Sequence, residues 1–228
     1  MARLPKSELC VVLVSGGMDS ATVLGIAAFL GYNIAAIHFN YNQRSKDKEL
    51  QAFDALCDFY GVKRKIAVDM NFLSVIGGSA LTDDAIAVPD NLPETGEIPP
   101  TYVPFRNGIM ISMAAAWAEV IGAKKIFVGV VEEDSSGYPD CRESFIKAME
   151  NAVNLGRKPE SELRIVAPLI HLRKAQIVKI GVTLGVPYEL TWSCYHGRER
   201  HCGKCPACRL RRKAFSEAGI PDPTVYEQ

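Results

Sequence analysis

Short apolar runs alternate with helix-length segments along most of the chain. Runs of the length of a typical strand occur at residues 9–14, 34–39, 65–68, 125–130 and 164–167. Segments of helical length and spacing lie at 19–30, 46–60, 106–121, 141–154, 174–184 and 206–217. Strands that alternate with helices are typical of a parallel sheet, because a helix must carry the chain back across it. The pattern predicts an α/β fold with a parallel sheet.

One segment, 77–104, breaks this pattern. It holds Pro89, Pro93, Pro99, Pro100 and Pro104 together with several acidic residues. A connection of this length is typical of a functional loop such as a lid, and a variable solvated loop is the alternative. We predict an α/β domain over 1–168 that contains this loop, followed by a small helical lobe over 169–228.

The charge balance and the lengths of the apolar runs indicate which kinds of partner to expect. The 228 residues carry 26 basic and 26 acidic side chains, so no overall field selects nucleic acid or an anionic membrane. No run is long enough to span a membrane, and residues 1–8 lack the apolar core of a signal peptide. We therefore expect a cytoplasmic protein with no membrane partner and no stable nucleic-acid partner.

The stretch SGGMDS, residues 15–20, follows the first apolar run and opens the first helix. Amide groups at a helix N-terminus bind anions, and Gly16 and Gly17 allow a phosphate to approach the backbone. Ser15 and Ser20 add hydroxyl groups, while Asp19 is suited to cap the helix or to hold Mg²⁺. The stretch lacks the Gly-Lys-Ser/Thr ending of a Walker A loop and the GxGxxG dinucleotide pattern. A tight turn without a ligand is the alternative interpretation.

Four of the seven cysteines are clustered near the end of the chain, at Cys194, Cys202, Cys205 and Cys208. Two-residue gaps let a turn direct successive sulfurs at one ion, and four thiolates favour structural zinc over an iron–sulfur cluster or free thiols. Basic side chains are concentrated over 198–213. They either offset the charge of the zinc–thiolate centre, which we favour, or bind nucleic acid. The other cysteines, Cys10, Cys57 and Cys141, are most simply packing residues.

SGGMDS resembles the S-G-G-x-D-S signature of the PP-loop ATP pyrophosphatases. With VPFRN (103–107), GYPDCRESF (137–145), APLIHLRKAQIV (167–178), TWSCY (191–195), DPTVY (222–226) and the four cysteines, it resembles the 7-cyano-7-deazaguanine synthase family over nearly the whole chain. The chain departs from that family at YNQRS (41–45), where Y-G-Q-R-H is frequent, and at Phe105, where glycine is frequent.

The resemblance implies a Rossmann-like, adenine-nucleotide-binding PP-loop domain with a C-terminal helical zinc lobe. It also implies a homodimeric, ATP-dependent ligase of queuosine precursor biosynthesis. This ligase converts 7-carboxy-7-deazaguanine and ammonia to 7-cyano-7-deazaguanine, through an adenylated carboxylate and an amide. No glutaminase is evident in the sequence, so free ammonia is the expected donor. Two alternatives stay open: a related enzyme that passes the activated deazaguanine to a protein or nucleic acid, and a non-catalytic zinc module that binds nucleic acid.

The site hypotheses follow from the same resemblance. ATP is expected at Leu13, Val14, Ser15, Gly16, Gly17, Met18, Asp19, Ser20, Ala21, Thr22 and Val23. We predict that Ser15, Asp19, Arg106 and Lys174 support the reaction at the phosphates, with Mg²⁺ as a further cofactor. For the two cations, the alternative is a surface or helix-end role. Tyr138 could stack on the deazaguanine and Asp140 could accept its N–H groups, unless Asp140 caps the helix that follows it.

Overall fold

The computed structural model describes residues 8–90, 97–132, 137–158 and 162–227. Its strands are β1 (Leu9–Leu13), β2 (Asn33–Asn40), β3 (Arg64–Asp69), β4 (Lys125–Phe127) and β5 (Arg164–Val166). Its helices are α1 (Met18–Phe29), α2 (Lys46–Phe59), α3 (Phe72–Ile76), α4 (Arg106–Ile121), α5 (Glu143–Gly156), α6 (Lys174–Thr183) and α7 (Pro206–Ala218).

The strands form one parallel sheet in the order β3-β2-β1-β4-β5. Strand β1 lies at the centre and pairs with β2 on one side, Leu13 opposite Ile37, and with β4 on the other, Val12 opposite Phe127. The chain therefore winds outward in one direction through β2 and β3, and in the other through β4 and β5. Such a reversal opens a crevice between the carboxyl ends of the two central strands, where ligands bind in open α/β sheets.

Helices cover both faces of the sheet, because the central strands have no polar side to expose. Helices α4 and α5 pack on one face, where Val11 and Ile126 are fully buried. Helices α1, α2, α6 and α7 pack on the other, against Cys10, Val12 and other buried residues of the sheet. The two C-terminal helices thus share a hydrophobic core with α1 and α2, and the predicted division at residue 168 stays a prediction. None of the helices in the described ranges is long and apolar enough to cross a membrane.

The predicted α/β class, the parallel sheet and most element bounds are confirmed. Strand β4 ends at Phe127 rather than at residue 130; the amide of Val128 still donates to the carbonyl oxygen of Val166 at 2.9 Å, and Gly129 packs against the backbone of Ser20 in α1. Helix α5 begins at Glu143 rather than at Cys141, since Pro139–Cys141 form a 3₁₀ turn and Arg142 is extended. The short helix α3 and a second 3₁₀ turn at Tyr188–Leu190 were not predicted.

The described parts of the proline-rich segment are held to the domain by Arg44. Its guanidinium donates to the carbonyl oxygens of Ala80 (2.9 Å), Asp83 (3.0 Å) and Ile86 (3.0 Å). Leu81 is buried and joins the core on the α4 face of the sheet. This part of the loop is therefore an ordered wall of the domain.

Candidate active site at the strand switch point

A cleft of about 330 Å³ opens at the carboxyl ends of β1, β2 and β4. This volume lies at the lower end of the range usual for small-molecule sites. Its walls come from the 15–20 loop, the start of α4, the first turn of α2 and the segment 192–195. The sheet order thus brings together segments that are far apart in the sequence.

The SGGMDS loop is closed by its own two hydroxyl groups. Ser20 Oγ accepts from the amide of Ser15 (3.2 Å), lies 3.1 Å from Ser15 Oγ and donates to the carbonyl oxygen of Gly17 (3.0 Å). Ser15 Oγ also accepts from the amide of Gly17 at 3.3 Å. The loop therefore has a fixed shape at the N-terminus of α1, where the helix dipole favours an anion.

Two glycines allow this loop to pack closely. Gly16 has φ of +89°, and a Cβ there would stand 2.6 Å from the carbonyl oxygen of Glu49 in α2. Gly129, just after β4, lies beneath the loop, and a Cβ there would stand 3.2 Å from the amide nitrogen of Ser20. Gly16 was predicted both to supply a special backbone angle and to admit a phosphate; its φ confirms the first reason, and the approach of α2 is a further reason that the sequence did not indicate. Gly129 was missed, although a glycine directly after a strand is a usable signal for close backbone approach.

Asp19 and Lys174 form an ion pair inside the cleft, with Lys174 Nζ 2.5 Å from Asp19 Oδ2. Lys174 is the first residue of α6, 155 residues away in the sequence. The second oxygen of the carboxylate, Asp19 Oδ1, is buried and has no hydrogen-bond partner among the described residues. This end of the cleft therefore combines a cation, a helix N-terminus and an oxygen that can accept a further ligand. An oxygen ligand of this kind suits Mg²⁺.

The nucleotide residues predicted from sequence divide into two groups. Those that line the cleft are Leu13, Val14, Ser15, Gly17, Met18, Asp19 and Ser20. The remaining members, Gly16, Ala21, Thr22 and Val23, do not line it. Ala21, Thr22 and Val23 are fully buried, and Thr22 Oγ1 donates to the carbonyl oxygen of Met18 at 2.8 Å. These four residues support the loop from the interior of the fold, and nucleotide contact by the residues of 13–23 stays a prediction.

The opposite end of the cleft is aromatic. Arg106 Nη1 donates to the hydroxyl of Tyr41 at 2.9 Å, and Tyr138 and Tyr195 stand on the same wall. Burial raises the pKa of Tyr41 to about 12, so the phenol is neutral. Burial alone would lower the pKa of Arg106, but the facing phenols of Tyr41 and Tyr138 and the carboxylate of Asp140 raise it. The guanidinium therefore stays charged in a mainly aromatic setting.

Tyr138 and Asp140 take different positions. Tyr138 lines the cleft, and its hydroxyl lies 2.9 Å from Thr101 Oγ1. Asp140 is buried and does not line the cleft; its Oδ2 accepts from the amide of Asn107 in the first turn of α4 at 2.9 Å. The capping alternative was therefore wrong about the helix, because Asp140 caps α4, whereas the first amide of α5, that of Glu143, donates to Glu132 Oε2 at 2.9 Å. Its role towards a substrate stays a prediction.

Cys141 was interpreted from sequence as a packing residue. In the structure its side chain is buried and also lines the cleft. Asn107 Nδ2 donates to its sulfur at 3.3 Å. Burial raises the pKa of the Cys141 thiol to about 12, so the sulfur is a neutral wall of the cleft.

Glu49, a further polar residue of the cleft, was not predicted from the sequence. Glu49, in the first turns of α2, accepts from Ser45 Oγ at 2.5 Å and from Gln43 Nε2 at 2.8 Å. Gln43 Oε1 in turn accepts from the amide of Tyr41 at 2.9 Å. The signal was weak, because α2 is charged on most of its surface and only the fold shows which carboxylate faces the cleft.

The four predicted metal ligands converge. The sulfur atoms of Cys194, Cys202, Cys205 and Cys208 are buried and lie within 4.8 Å of one another. Cys202 Sγ accepts from the amides of Lys204 (3.4 Å) and Cys205 (3.3 Å). Four buried thiols with backbone amide donors fit a closed metal centre. Trp192 and Tyr195, which line the cleft, also pack against this cluster.

The basic side chains of 198–213 do not form one surface. Arg211 is 1% exposed; it pairs with Asp222 at 3.1 Å and donates to Thr191 Oγ1 at 2.6 Å. Arg212 stacks on Tyr226, with the guanidinium carbon 5.1 Å from the ring centroid. Arg211 therefore holds the C-terminal tail to the domain. Neither charge compensation at a metal centre nor nucleic-acid binding, the two predicted roles, includes this contact.

Of the three residues that depart from the family pattern, Asn42 and Phe105 have unusual backbone angles, and Ser45 does not. Among the described non-glycine residues, only Asn42 (φ 61°) and Phe105 (φ 56°) have positive φ. Glycine reaches this region without steric cost, asparagine at a modest one and phenylalanine at a larger one. The backbone shape thus explains why relatives often carry glycine at these positions.

Comparison with known proteins identifies the family. The family model for "Queuosine biosynthesis protein QueC" matches residues 9–219. A 7-cyano-7-deazaguanine synthase from a Nitratiruptor species is 54% identical over 95% of this chain and 98% of its own length. One from Chloroherpeton thalassium is 51% identical over 95% of this chain and 96% of its own length. These relatives support the synthase interpretation, not the acceptor alternative.

Solved structures of lower identity share the fold. A 4-thiouridine synthetase in complex with RNA and ATP aligns with a TM-score of 0.52 at 18% identity, covering 92% of this chain and 53% of that one. A predicted subunit of a tRNA methyltransferase from Methanocaldococcus jannaschii aligns with a TM-score of 0.51 at 13% identity, covering 97% of this chain and 93% of that one. At these identities the likeness concerns the fold alone.

Proposed function

Because this chain belongs to the QueC family of queuosine biosynthesis proteins, we propose that it is an ATP-dependent carbon–nitrogen ligase. It converts 7-carboxy-7-deazaguanine and ammonia to 7-cyano-7-deazaguanine. The observation that carries this proposal is the cleft, which joins a phosphate-binding loop at one end to an aromatic wall at the other. A nucleotide and a planar base can thus meet at one point.

The chemistry explains the need for both ends. A carboxylate does not react with ammonia, because its oxide is a very poor leaving group. Transfer of AMP from ATP to the carboxylate gives an acyl adenylate, and ammonia displaces AMP to form the amide. Removal of the amide oxygen by a second activation at the same site gives the nitrile. The protein mainly has to position the reactants and stabilise charge.

The charged end is assigned to ATP. Ser15, Gly17 and Ser20 are placed to hold the phosphates with the helix N-terminus, and Lys174 offsets their charge. Asp19 would help to hold a Mg²⁺ ion on the phosphates through Oδ1, the oxygen that has no hydrogen-bond partner among the described residues. Magnesium supplies charge neutralisation there, and the residues of the chain orient the nucleotide.

The aromatic end is assigned to the deazaguanine. Tyr138 is suited to stack on the ring, and Arg106 is suited to pair with the carboxylate of the substrate. This position for Arg106 differs from the phosphate role expected from sequence, and it is supported by the hydrogen bond between Arg106 and Tyr41. Asp140 would act on the substrate indirectly, by fixing the start of α4.

The cysteine cluster is assigned to structural zinc. Four thiolates leave no coordination position for a reactant, and the cluster supports Trp192 and Tyr195 from outside the cleft. Elemental analysis of the purified protein should give one zinc per chain, and Cys205→Ala should lose both the metal and folding stability. A stable, metal-free and fully active variant would contradict this assignment.

The activity is tested by incubating the purified protein with 7-carboxy-7-deazaguanine, ammonium and Mg-ATP. Mass spectrometry then follows the deazaguanine products and the adenine nucleotides in the same sample. We expect the nitrile together with AMP and pyrophosphate. ATP consumption that stops at the amide, or no ATP consumption at all, would overturn the proposed reaction.

A further inference from the structure

The cleft holds two carboxylates in different surroundings. Asp19 is paired with the ammonium group of Lys174. Glu49 receives two hydrogen bonds from the neutral side chains of Ser45 and Gln43. Among the residues that the structure describes, no lysine, arginine or histidine nitrogen lies within 4.0 Å of the Glu49 carboxylate oxygens. Two carboxylates in such different settings are suited to different roles.

The position of Glu49 is fixed by its neighbours. Gln43 is 2% exposed, and its amide orientation is set because Oε1 accepts from the amide of Tyr41, so Nε2 points to Glu49. Ser45 precedes α2, but its hydroxyl donates to Glu49 and makes no capping bond to the backbone. The loop 43–45 therefore holds one charged side chain in place and gives up a helix cap to do so.

Glu49 also lies beside the loop that receives the phosphates. Its own carbonyl oxygen is the atom that a Cβ at Gly16 would approach to 2.6 Å. Glu49 lines the cleft together with Ser15, Asp19 and Arg106. Glu49 thus adjoins the 15–20 loop through its backbone, and its charge acts on Tyr41 of the aromatic end, so its carboxylate is available to both ends of the cleft.

We propose that Glu49 is a catalytic residue that binds the ammonium ion and accepts its proton. The inference rests on the proposed function, because it assigns a role in that reaction. Ammonium is the main form of this donor at neutral pH and cannot attack a carbonyl group, since its nitrogen has no free electron pair. A fixed carboxylate without a cationic partner attracts the ion and can take the proton.

The step balances in atoms and charge. Ammonium gives one proton to the Glu49 carboxylate and becomes ammonia. The ammonia electron pair forms the C–N bond to the carbonyl carbon of the acyl adenylate, and the C–O bond to AMP breaks with its electron pair leaving on AMP. The second proton passes from the new C–NH₃⁺ group to solvent, which leaves the neutral amide. Glu49 then releases its own proton to solvent before the next turnover.

The test is Glu49→Gln, which keeps the size of the side chain and its acceptor for Ser45 but removes the charge. The control is Asp47→Asn, an exposed carboxylate in the first turn of the same helix. Steady-state rates of amide and nitrile formation are measured between pH 7 and pH 9 with ammonium as the varied substrate. Rates with hydroxylamine, which is largely unprotonated at neutral pH, are measured in parallel.

We expect Glu49→Gln to lower kcat/KM for ammonium about 100-fold at pH 7. The deficit should shrink to less than about tenfold at pH 9, where more of the donor is already free ammonia. The deficit with hydroxylamine should be no more than about threefold, and Asp47→Asn should match the wild type. A deficit that stays constant with pH, or is equal for both donors, would overturn the proposal. Absence of nitrile in the wild type would instead show that the proposed function fails.

Discussion

The two ends of the cleft recognise ligands by different physical means. The charged end is built from one short loop, a helix N-terminus and the ion pair of Asp19 with Lys174. The aromatic end is built from side chains of several segments, among them Tyr41, Arg106 and Tyr138, and burial keeps the phenol of Tyr41 neutral. One end presents backbone amides and charge, which we propose hold a phosphate, and the other presents flat surfaces and one cation, which we propose hold a base.

This difference teaches how each end should respond to mutation. A site made of backbone is sensitive to changes that alter the backbone, even where no side chain is lost. In a site made of side chains, removal of one side chain weakens the binding of the ligand that it contacts and does not change the affinity for the other ligand. Substitutions at the two ends should therefore separate the affinity for ATP from the affinity for the deazaguanine.

The largest effect is expected from Gly16→Ala, because the new Cβ requires a strained φ and meets the carbonyl oxygen of Glu49. We expect a loss of about 3 kcal/mol in the free energy of unfolding and about 100-fold in kcat/KM for ATP. Chemical denaturation and steady-state kinetics measure the two. Gly17→Ala is the matched control for stability, since its Cβ would meet nothing closer than 3.5 Å. Equal destabilisation by both changes would contradict the packing explanation.

The next largest effect tests whether the two ends of the cleft bind different ligands. Arg106→Met should raise KM for 7-carboxy-7-deazaguanine about 30-fold and KM for ATP less than about threefold, because a charged hydrogen bond to the substrate is lost. Lys174→Met should do the reverse and raise KM for ATP more than KM for 7-carboxy-7-deazaguanine. Both constants are read from the same assay. If Arg106→Met instead raised KM for ATP more than KM for 7-carboxy-7-deazaguanine, the result would support the phosphate role that was expected from the sequence.

A smaller, pH-dependent effect concerns the support of the charged end. His38 is buried, and its Nδ1 donates to the carbonyl oxygen of Val14 at 3.0 Å, just before the loop. Burial lowers the pKa of His38, while that carbonyl and the carboxylates of Glu49 and Asp54 partly oppose the shift. The unfolded chain therefore binds a proton below the ordinary histidine pKa of about 6.5, and the folded chain does not.

The free energy of unfolding should accordingly fall as the pH drops below about 6.5, by up to about 1.4 kcal/mol per pH unit from this group. His38→Gln should remove this part of the slope and leave other groups unchanged. Denaturation of both proteins from pH 7 to pH 5 measures the difference. Parallel curves would contradict this explanation, because they would show that the pKa of His38 is the same in the folded and the unfolded chain.

The smallest effect is expected from Asn42→Gly, at one of the two strained positions. Asparagine tolerates a φ of 61°, so the change should alter the free energy of unfolding by less than about 0.5 kcal/mol. Activity should be unchanged, because Asn42 does not line the cleft. A large gain in stability would show that the backbone here is more strained than its angle suggests.

The sequence predicted the parts of the molecule that are local. Most strand and helix bounds and the convergence of the four cysteines depend on residues close together in the chain, and the structure agrees with them except at the end of β4, the start of α5 and the unpredicted α3. Lys174 was predicted as a cation for the phosphates, but its partner Asp19 could not be predicted, because only the packing of α6 on α1 brings the two together.

The contacts that were missed are long-range or depend on orientation. Glu49 is one of several acidic side chains in its helix, and only the approach of α2 to Gly16 directs it to the cleft. Asp140 was predicted to bind the substrate, with a cap on the following helix as the alternative, whereas the structure has it accept from the amide of Asn107 at the start of α4, 33 residues earlier. A helix cap that acts between distant elements leaves no local pattern in the sequence.

Arg44 has a consequence for experiments with metal chelators. Arg44 holds the loop that carries Leu81 and Val88, the carbonyl oxygen of Arg44 faces Gly197, and Val88 packs against the cysteine cluster. A chelator that empties the cluster would therefore loosen one wall of the cleft without removing any atom that touches a reactant. Inactivation by a chelator would report on the architecture of this protein and would be no sign that the cysteine-bound metal takes part in the reaction.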